Sequence, residues 1–135
     1  MKPFASAATA GSILLGATAA FHGSGYASVM KTASASDIDP QLKLILVPLW
    51  IFPTAHWIFI AIIALLAAFA PAGRIILALC GAVIAADAAI LYLNLGPFIG
   101  EAMLAASALL FVVAAAVKPA DRGRRAFSSM LTPAP

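Results

Sequence analysis

The stretch LVPLWIFPTAHWIFIAII, Leu46–Ile63, decides the fold class, because it is apolar almost throughout. It lies inside a longer apolar run from about Leu44 to Ala70. A helix of that length, at about 1.5 Å per residue, crosses the roughly 30 Å hydrocarbon layer of a bilayer. The stretch therefore predicts a membrane-spanning helix, and its histidine, His56, needs an explanation.

The composition supports a membrane protein. The 135 residues are 64% hydrophobic and 10% charged, with a mean hydropathy of +1.06, whereas ordinary soluble domains carry about 25% charged residues. The basic residues flank the apolar segments and do not form a patch with interleaved aromatic residues, which argues against a nucleic-acid partner. We expect an integral membrane protein of one domain in contact with membrane lipid, since several spans of about 20 residues each leave no room for another domain.

Four apolar segments predict an all-α bundle of four transmembrane helices at about residues 4–21, 44–70, 75–95 and 98–117. Residues 118–135 predict a basic, mobile cytoplasmic tail. Most Lys and Arg residues fall on one side of this arrangement, so both termini are expected in the cytoplasm. The connection from Gly23 to Lys43 is then expected to be a long loop on the outer side.

The N-terminal segment allows a second interpretation. Its basic start, apolar centre and small residues at Ala17–Ala19 are also typical of a cleaved signal peptide. Cleavage would leave three spans. A single lysine before the apolar centre favours a retained first span.

Ladders of small residues at four-residue spacing indicate close helix packing, since small side chains let membrane helices approach one another. One ladder follows the first span and the other follows the third: Ala8, Ser12, Gly16 and Ala20, and Ala78, Ala82 and Ala86.

Ionisable residues inside spans are costly, so each one is a candidate for function. His56 lies about 21 Å from the cytoplasmic end of the second span, and Asp87 about 20 Å from that end of the third, at about 1.5 Å per residue. Consecutive spans with a short connection are usually neighbours. We therefore predict that the imidazole and the carboxylate face each other and share a hydrogen bond or a proton.

Three further residues extend this pair into a predicted polar track toward the outer surface. Asn94 continues the Asp87 face of the third span, Glu101 opens the fourth, and His22 ends the first. The track can be structural, joining helices by hydrogen bonds. It can also bind a quinone, a lipid or another small amphipathic molecule, or carry protons.

Metal or haem ligation is the third interpretation of the track. His22 at the outer boundary and His56 near mid-span are poorly matched in depth as axial ligands of one haem. The sequence has no Glu-x-x-His pair, no G-x-S-x-G motif of serine hydrolases and no G-x-x-x-x-G-K phosphate-binding loop. We assign no metal ligand and no catalytic residue, and enzymatic activity is not expected.

Pro53 removes an N–H from the second span and frees the carbonyl of Leu49. A Thr54 hydroxyl or a water molecule can satisfy that carbonyl. A bend here follows the shape of the bundle or opens space beside His56.

The segments GRIILALCGAV, with its early arginine, and GEAMLAASALL, with its early glutamate, complete the sequence pattern. In architecture and in these two features the chain resembles the DoxX-like small four-helix bacterial membrane proteins. That resemblance implies an accessory or quinone-proximal role and carries over no catalytic residue. We expect a small binding or accessory subunit of the bacterial inner membrane, in a homo-oligomer or larger complex. The alternatives are a small transporter or proton-coupled permease working as an oligomer, and a membrane subunit of an oxidoreductase.

Overall fold

The computed structural model describes residues 3–117, and all regular structure in that range is helical. The helices are α1 (Pro3–Ser24), α2 (Tyr26–Ala35), α3 (Pro40–Phe69), α4 (Gly73–Leu95) and α5 (Ile99–Val117). Four helical segments, the first of them α1 together with α2, are long and apolar enough to cross a membrane. The all-α prediction is confirmed for this part of the chain. The predicted mobile tail, residues 118–135, lies outside the described residues.

Helix α3 begins earlier than the predicted start at about Leu44. The Asp39 side chain caps it by accepting a hydrogen bond of 2.7 Å from the backbone N–H of Gln41. Pro40 occupies the first helical position, where its missing N–H costs nothing. The helix then continues through Pro48 and Pro53.

The predicted outer loop contains a helix, α2, so the loop prediction was wrong for residues 26–35. The segment YASVMKTASA is too polar to be recognised by hydropathy, but its alanine, methionine and lysine residues favour helix. Lys43 of α3 holds the far end of α2, because its Nζ donates to the carbonyls of Ser34 at 3.3 Å and Ser36 at 2.7 Å. A cation at a helix C-terminus satisfies carbonyls that lack intrahelical partners.

The long helices form a ring. Helix α1 packs on α3 and α5, and α4 packs on the same two helices, with α3 and α4 making the least extensive of these four interfaces. The core contains fully buried side chains from three of the long helices: Leu15, Leu77, Ile84, Leu104 and Phe111. We call the end of the ring where α1 finishes and α3 begins the α2 end.

Two glycines lie where helix α5 approaches its neighbours closely. A Cβ atom placed on Gly11 of α1 would lie 2.8 Å from Cε1 of Phe111 on α5. One placed on Gly81 of α4 would lie 2.8 Å from Cγ2 of Val112 and 3.2 Å from the carbonyl oxygen of Ala108, both on α5. Helix α5 therefore packs tightly on both neighbours because these positions have no side chain.

Only some residues of the predicted small-residue ladders lie in the contacts between helices. In α1, Ala8 and Ser12 are buried but Ala20 is exposed. In α4 the ladder prediction was wrong, since its three alanines face outward. The buried face of α4 consists instead of Gly73, Leu77, Cys80, Gly81, Ile84 and Ala88. A four-residue spacing identifies one face of a helix but does not show whether that face points into the bundle or away from it.

Candidate functional site

The predicted pair of ionisable residues is in contact. His56 Nε2 lies 3.2 Å from Asp87 Oδ2, and the two side chains are 29% and 26% exposed. Depth counting along two neighbouring helices thus predicted the contact correctly. A neutral imidazole can donate a hydrogen bond from Nε2 to the carboxylate, and a protonated one forms an ion pair with it.

Trp57 is the third member of this cluster, and the sequence reasoning missed it. Its indole Nε1 donates to the same oxygen, Asp87 Oδ2, at 3.0 Å. The side chain is only 5% exposed, and a buried indole N–H usually finds an acceptor. That requirement was the available signal, since Trp57 follows His56 in sequence and its indole N–H needs an acceptor such as the Asp87 carboxylate.

His22 is held at the edge of the same cluster. Its Nδ1 lies 2.9 Å from the hydroxyl of Thr54, and its ring stacks on Trp50 at 4.3 Å between centroids and 16° between planes. The Trp57 ring meets it edge-on at 5.2 Å. In this structure the Thr54 hydroxyl, expected as a possible partner for the Leu49 carbonyl, contacts His22 instead.

The Trp50 indole fixes the end of α1 as well. Its Nε1 donates to the backbone carbonyl of His22 at 3.1 Å. The same carbonyl accepts a second bond, also 3.1 Å, from the backbone N–H of Gly25. Helix α3 therefore holds both the ring and the backbone of His22 in place.

A cavity of about 680 Å³ lies beside these residues at the α2 end, between α1, α3 and α4. His22, His56 and Asp87 line it together with both tryptophans, and the remaining wall is mostly apolar. Cavities that bind small ligands typically measure about 300–1,000 Å³ and combine apolar walls with a few polar groups. Pro53 is part of this wall, as expected if it opens space beside His56.

The outer part of the predicted polar track does not join this cavity. Asn94 is exposed, and its Nδ2 donates to the carbonyl of Ile90 in its own helix at 2.7 Å. Glu101 lies in a separate groove of about 550 Å³ between α4 and α5, beside Tyr92. The track was extended to Asn94 by helical spacing and to Glu101 by its position at the outer end. Neither criterion shows that Glu101 lines a different groove, although its neighbour Gly100 lines the cavity.

Among the described residues, the ionisable groups that line the cavity are the Asp87 carboxylate and the imidazoles of His22 and His56. Within residues 3–117 no group of three His, Cys, Asp or Glu side chains is arranged to hold a metal ion. Asp87 Oδ1 has no hydrogen-bond partner among the described residues, because the contacts with His56 and Trp57 both involve Oδ2. The carboxylate and the two imidazoles therefore offer both donors and acceptors to a ligand.

Comparisons with protein families, with curated proteins and with solved structures found no match to this chain. The resemblance to DoxX-like proteins thus stays a prediction, and the site is interpreted from its own geometry.

Proposed function

We propose that this protein is a multi-pass membrane protein that binds a small amphipathic molecule, a quinone or a lipid, in the cavity at the α2 end. The observation that carries the proposal is the convergence of His22, His56 and Asp87 on one largely apolar cavity of about 680 Å³. An apolar wall suits a hydrocarbon tail, while the polar residues orient a head group.

The proposed orientation in the membrane rests on the helices and on the distribution of Lys and Arg. Four segments have the length and hydropathy of membrane spans, and the side that carries most Lys and Arg faces the cytoplasm under the positive-inside rule. We therefore infer that both termini lie in the cytoplasm of a bacterium and that the α2 end lies on the outer side of the inner membrane. The cavity then lies in the outer half of the bilayer, where an amphipathic molecule can enter from the lipid.

Hydrogen-bond chemistry supports a quinone in particular. A quinone carbonyl accepts a hydrogen bond from an imidazole N–H, and its ring can pack on the aromatic walls formed by Trp50 and Phe98. The described residues of the cavity supply hydrogen-bonding groups and aromatic walls, which suits a binding or accessory subunit. The exposed alanine face of α4 is suited to contact with another membrane helix, in a homo-oligomer or a larger complex.

One observation favours a second candidate, a proton-coupled transporter. The His56–Asp87 pair is a protonatable unit that lines the cavity and is about a quarter exposed. A ligand and a proton can then compete for the same carboxylate. This candidate needs an oligomer, because one ring of four helices encloses little volume.

Intrinsic fluorescence tests the proposal, because the chain has two tryptophans and both line the cavity. The detergent-solubilised protein is titrated with a short-chain ubiquinone and, separately, with a phospholipid brominated on its acyl chain. Both probes quench indole fluorescence on contact. We expect saturable quenching by at least one of them.

The matched variants are Asp87→Asn, which alters the cavity, and Glu101→Gln, which changes a carboxylate in the other groove. Asp87→Asn should weaken the saturable binding by about tenfold, a loss of about 1.4 kcal/mol, whereas Glu101→Gln should leave it unchanged. Quenching that rises linearly with both probes, without saturation, would contradict a binding site.

A further inference from the structure

The charge of the cavity limits which amphipathic molecules it can take. Resting on the proposed function, we propose that the cavity selects a ligand with a cationic head group, an aromatic or hydrophobic ammonium or phosphonium, over an anionic ligand of the same size. The proposed function by itself leaves the charge of the head group open.

Asp87 is the source of the selectivity. Among the described residues that line the cavity it is the only carboxylate, and none of them is lysine or arginine. An anionic head group would therefore enter beside a carboxylate with no fixed cation to compensate it. In a medium of low dielectric constant, unpaired like charges are strongly disfavoured.

The lysines at the α2 end do not change this balance. Lys43 is engaged at the end of α2 through the carbonyls of Ser34 and Ser36. Lys31 is exposed on α2, and neither lysine lines the cavity. A ligand phosphate or carboxylate inside the cavity has no lysine to pair with.

The carboxylate keeps capacity for a ligand. His56 and Trp57 both contact Oδ2, and Oδ1 has no hydrogen-bond partner within residues 3–117. When His56 and His22 are neutral, the cavity carries one net negative charge. A bound cation then restores neutrality without displacing either protein contact.

Aromatic side chains near Asp87 are a second feature that favours an organic cation. Phe21, Phe52 and Phe98 line the cavity together with Trp50, and the three phenylalanines are substantially exposed. The Phe52 ring lies nearly parallel to the His56 ring, with 6.0 Å between centroids and 8° between planes, so an aromatic face is presented next to the pair. Such faces attract organic cations through the ring quadrupole and exclude water around them.

Two ions of nearly identical shape test the proposal: tetraphenylphosphonium, a cation, and tetraphenylborate, an anion. Binding of each to the intact, detergent-solubilised protein is measured by equilibrium dialysis at about pH 8, at which ordinary imidazoles are neutral. Each is compared with protein-free detergent to remove partition into micelles. We expect saturable binding of the cation that is tighter than that of the anion by about tenfold or more.

The variants assign the preference to one carboxylate. Asp87→Asn should abolish the preference, Asp87→Glu should retain most of it, and Glu101→Gln should leave it unchanged. Equal or tighter binding of the anion by the wild-type protein would overturn the proposal without any variant. A cation preference that persists in a folded Asp87→Asn protein, judged by its size-exclusion profile, would overturn it as well.

The outcomes also separate this inference from the proposed function. Saturable quenching by the neutral quinone without cation preference would leave the proposed binding site in place and remove its charge selectivity. Failure of the quinone, the brominated phospholipid and the cation to bind would remove both.

Discussion

The two halves of the bundle differ in how their helices meet. Away from the α2 end, α5 packs against α1 and α4 at Gly11 and Gly81, where no Cβ can be accommodated without displacing a neighbour. At the α2 end, α3 meets its neighbours through bulky or polar residues, including Trp50, His56 and Trp57, and a cavity of about 680 Å³ lies beside them. The helices are therefore closely packed in one half of the bundle and separated by a cavity in the other half.

The largest expected loss of stability comes from a substitution in the close-packed half. Gly81→Ala places a methyl group 2.8 Å from Val112 Cγ2, and we expect it to lower the free energy of unfolding by about 1–3 kcal/mol through overpacking. Gly16→Ala is the matched control, because a Cβ at Gly16 has no atom within 4 Å. There the better helix propensity of alanine should be neutral or favourable by up to about 1 kcal/mol. Denaturant unfolding in detergent measures both, and equal effects would contradict the assigned contact.

The next effect concerns the polar contact in the open half. His56→Ala and Asp87→Ala should each destabilise the protein, and the double variant should cost less than the sum of the two by about 0.5–2 kcal/mol. The physical reason is that either single change already removes the 3.2 Å contact. The control cycle uses Asn94→Ala and Glu101→Ala, which contact neither each other nor the cavity pair and should be additive. Full additivity of the first pair would show that the contact has no energetic coupling.

A smaller loss of stability is expected when the contact between His22 and Thr54 is removed. Thr54→Val removes the hydroxyl that lies 2.9 Å from His22 Nδ1, and we expect a loss of about 0.5–1.5 kcal/mol. Thr9→Val is the matched control, since Thr9 Oγ1 is buried without a hydrogen-bond partner among residues 3–117. Replacing an unsatisfied buried hydroxyl by a methyl group should be neutral or stabilising. Thermal unfolding of the two variants side by side should give opposite signs or a clear difference, and equal losses would contradict the His22 contact.

Much of the fold could be predicted from the sequence, because hydropathy and length alone identify segments that can cross a membrane. The contact between His56 and Asp87 could also be predicted, since depth along a helix is a simple function of residue number. Helix α2 was missed because its residues are polar, and a helix lying at the end of a bundle needs no long apolar run.

The rest of the site could not be read from spacing. Helical periodicity places Asn94 and Asp87 on one face of α4, but it does not show that the Asn94 side chain turns back to the carbonyl of Ile90. The side of the bundle on which Glu101 lies depends on how α5 is rotated about its axis. That rotation is set by the contacts of Gly11 and Gly81 with α5, which involve residues far apart in sequence.

We propose that the cavity at the α2 end is a binding site, and a substitution that fills the cavity is the strongest test of this proposal. Val83 lines the cavity on α4, whereas Val113 of α5 is similarly exposed, at 42% against 39%, and does not line it. The quinone titration, followed by tryptophan quenching, is repeated on Val83→Phe and Val113→Phe. We expect quinone binding to be weakened by about tenfold or more in Val83→Phe, a loss of at least about 1.4 kcal/mol, and to be unchanged in Val113→Phe. The same saturable quenching in the wild type and both variants would show that the quinone binds outside this cavity, which would contradict the proposed binding site.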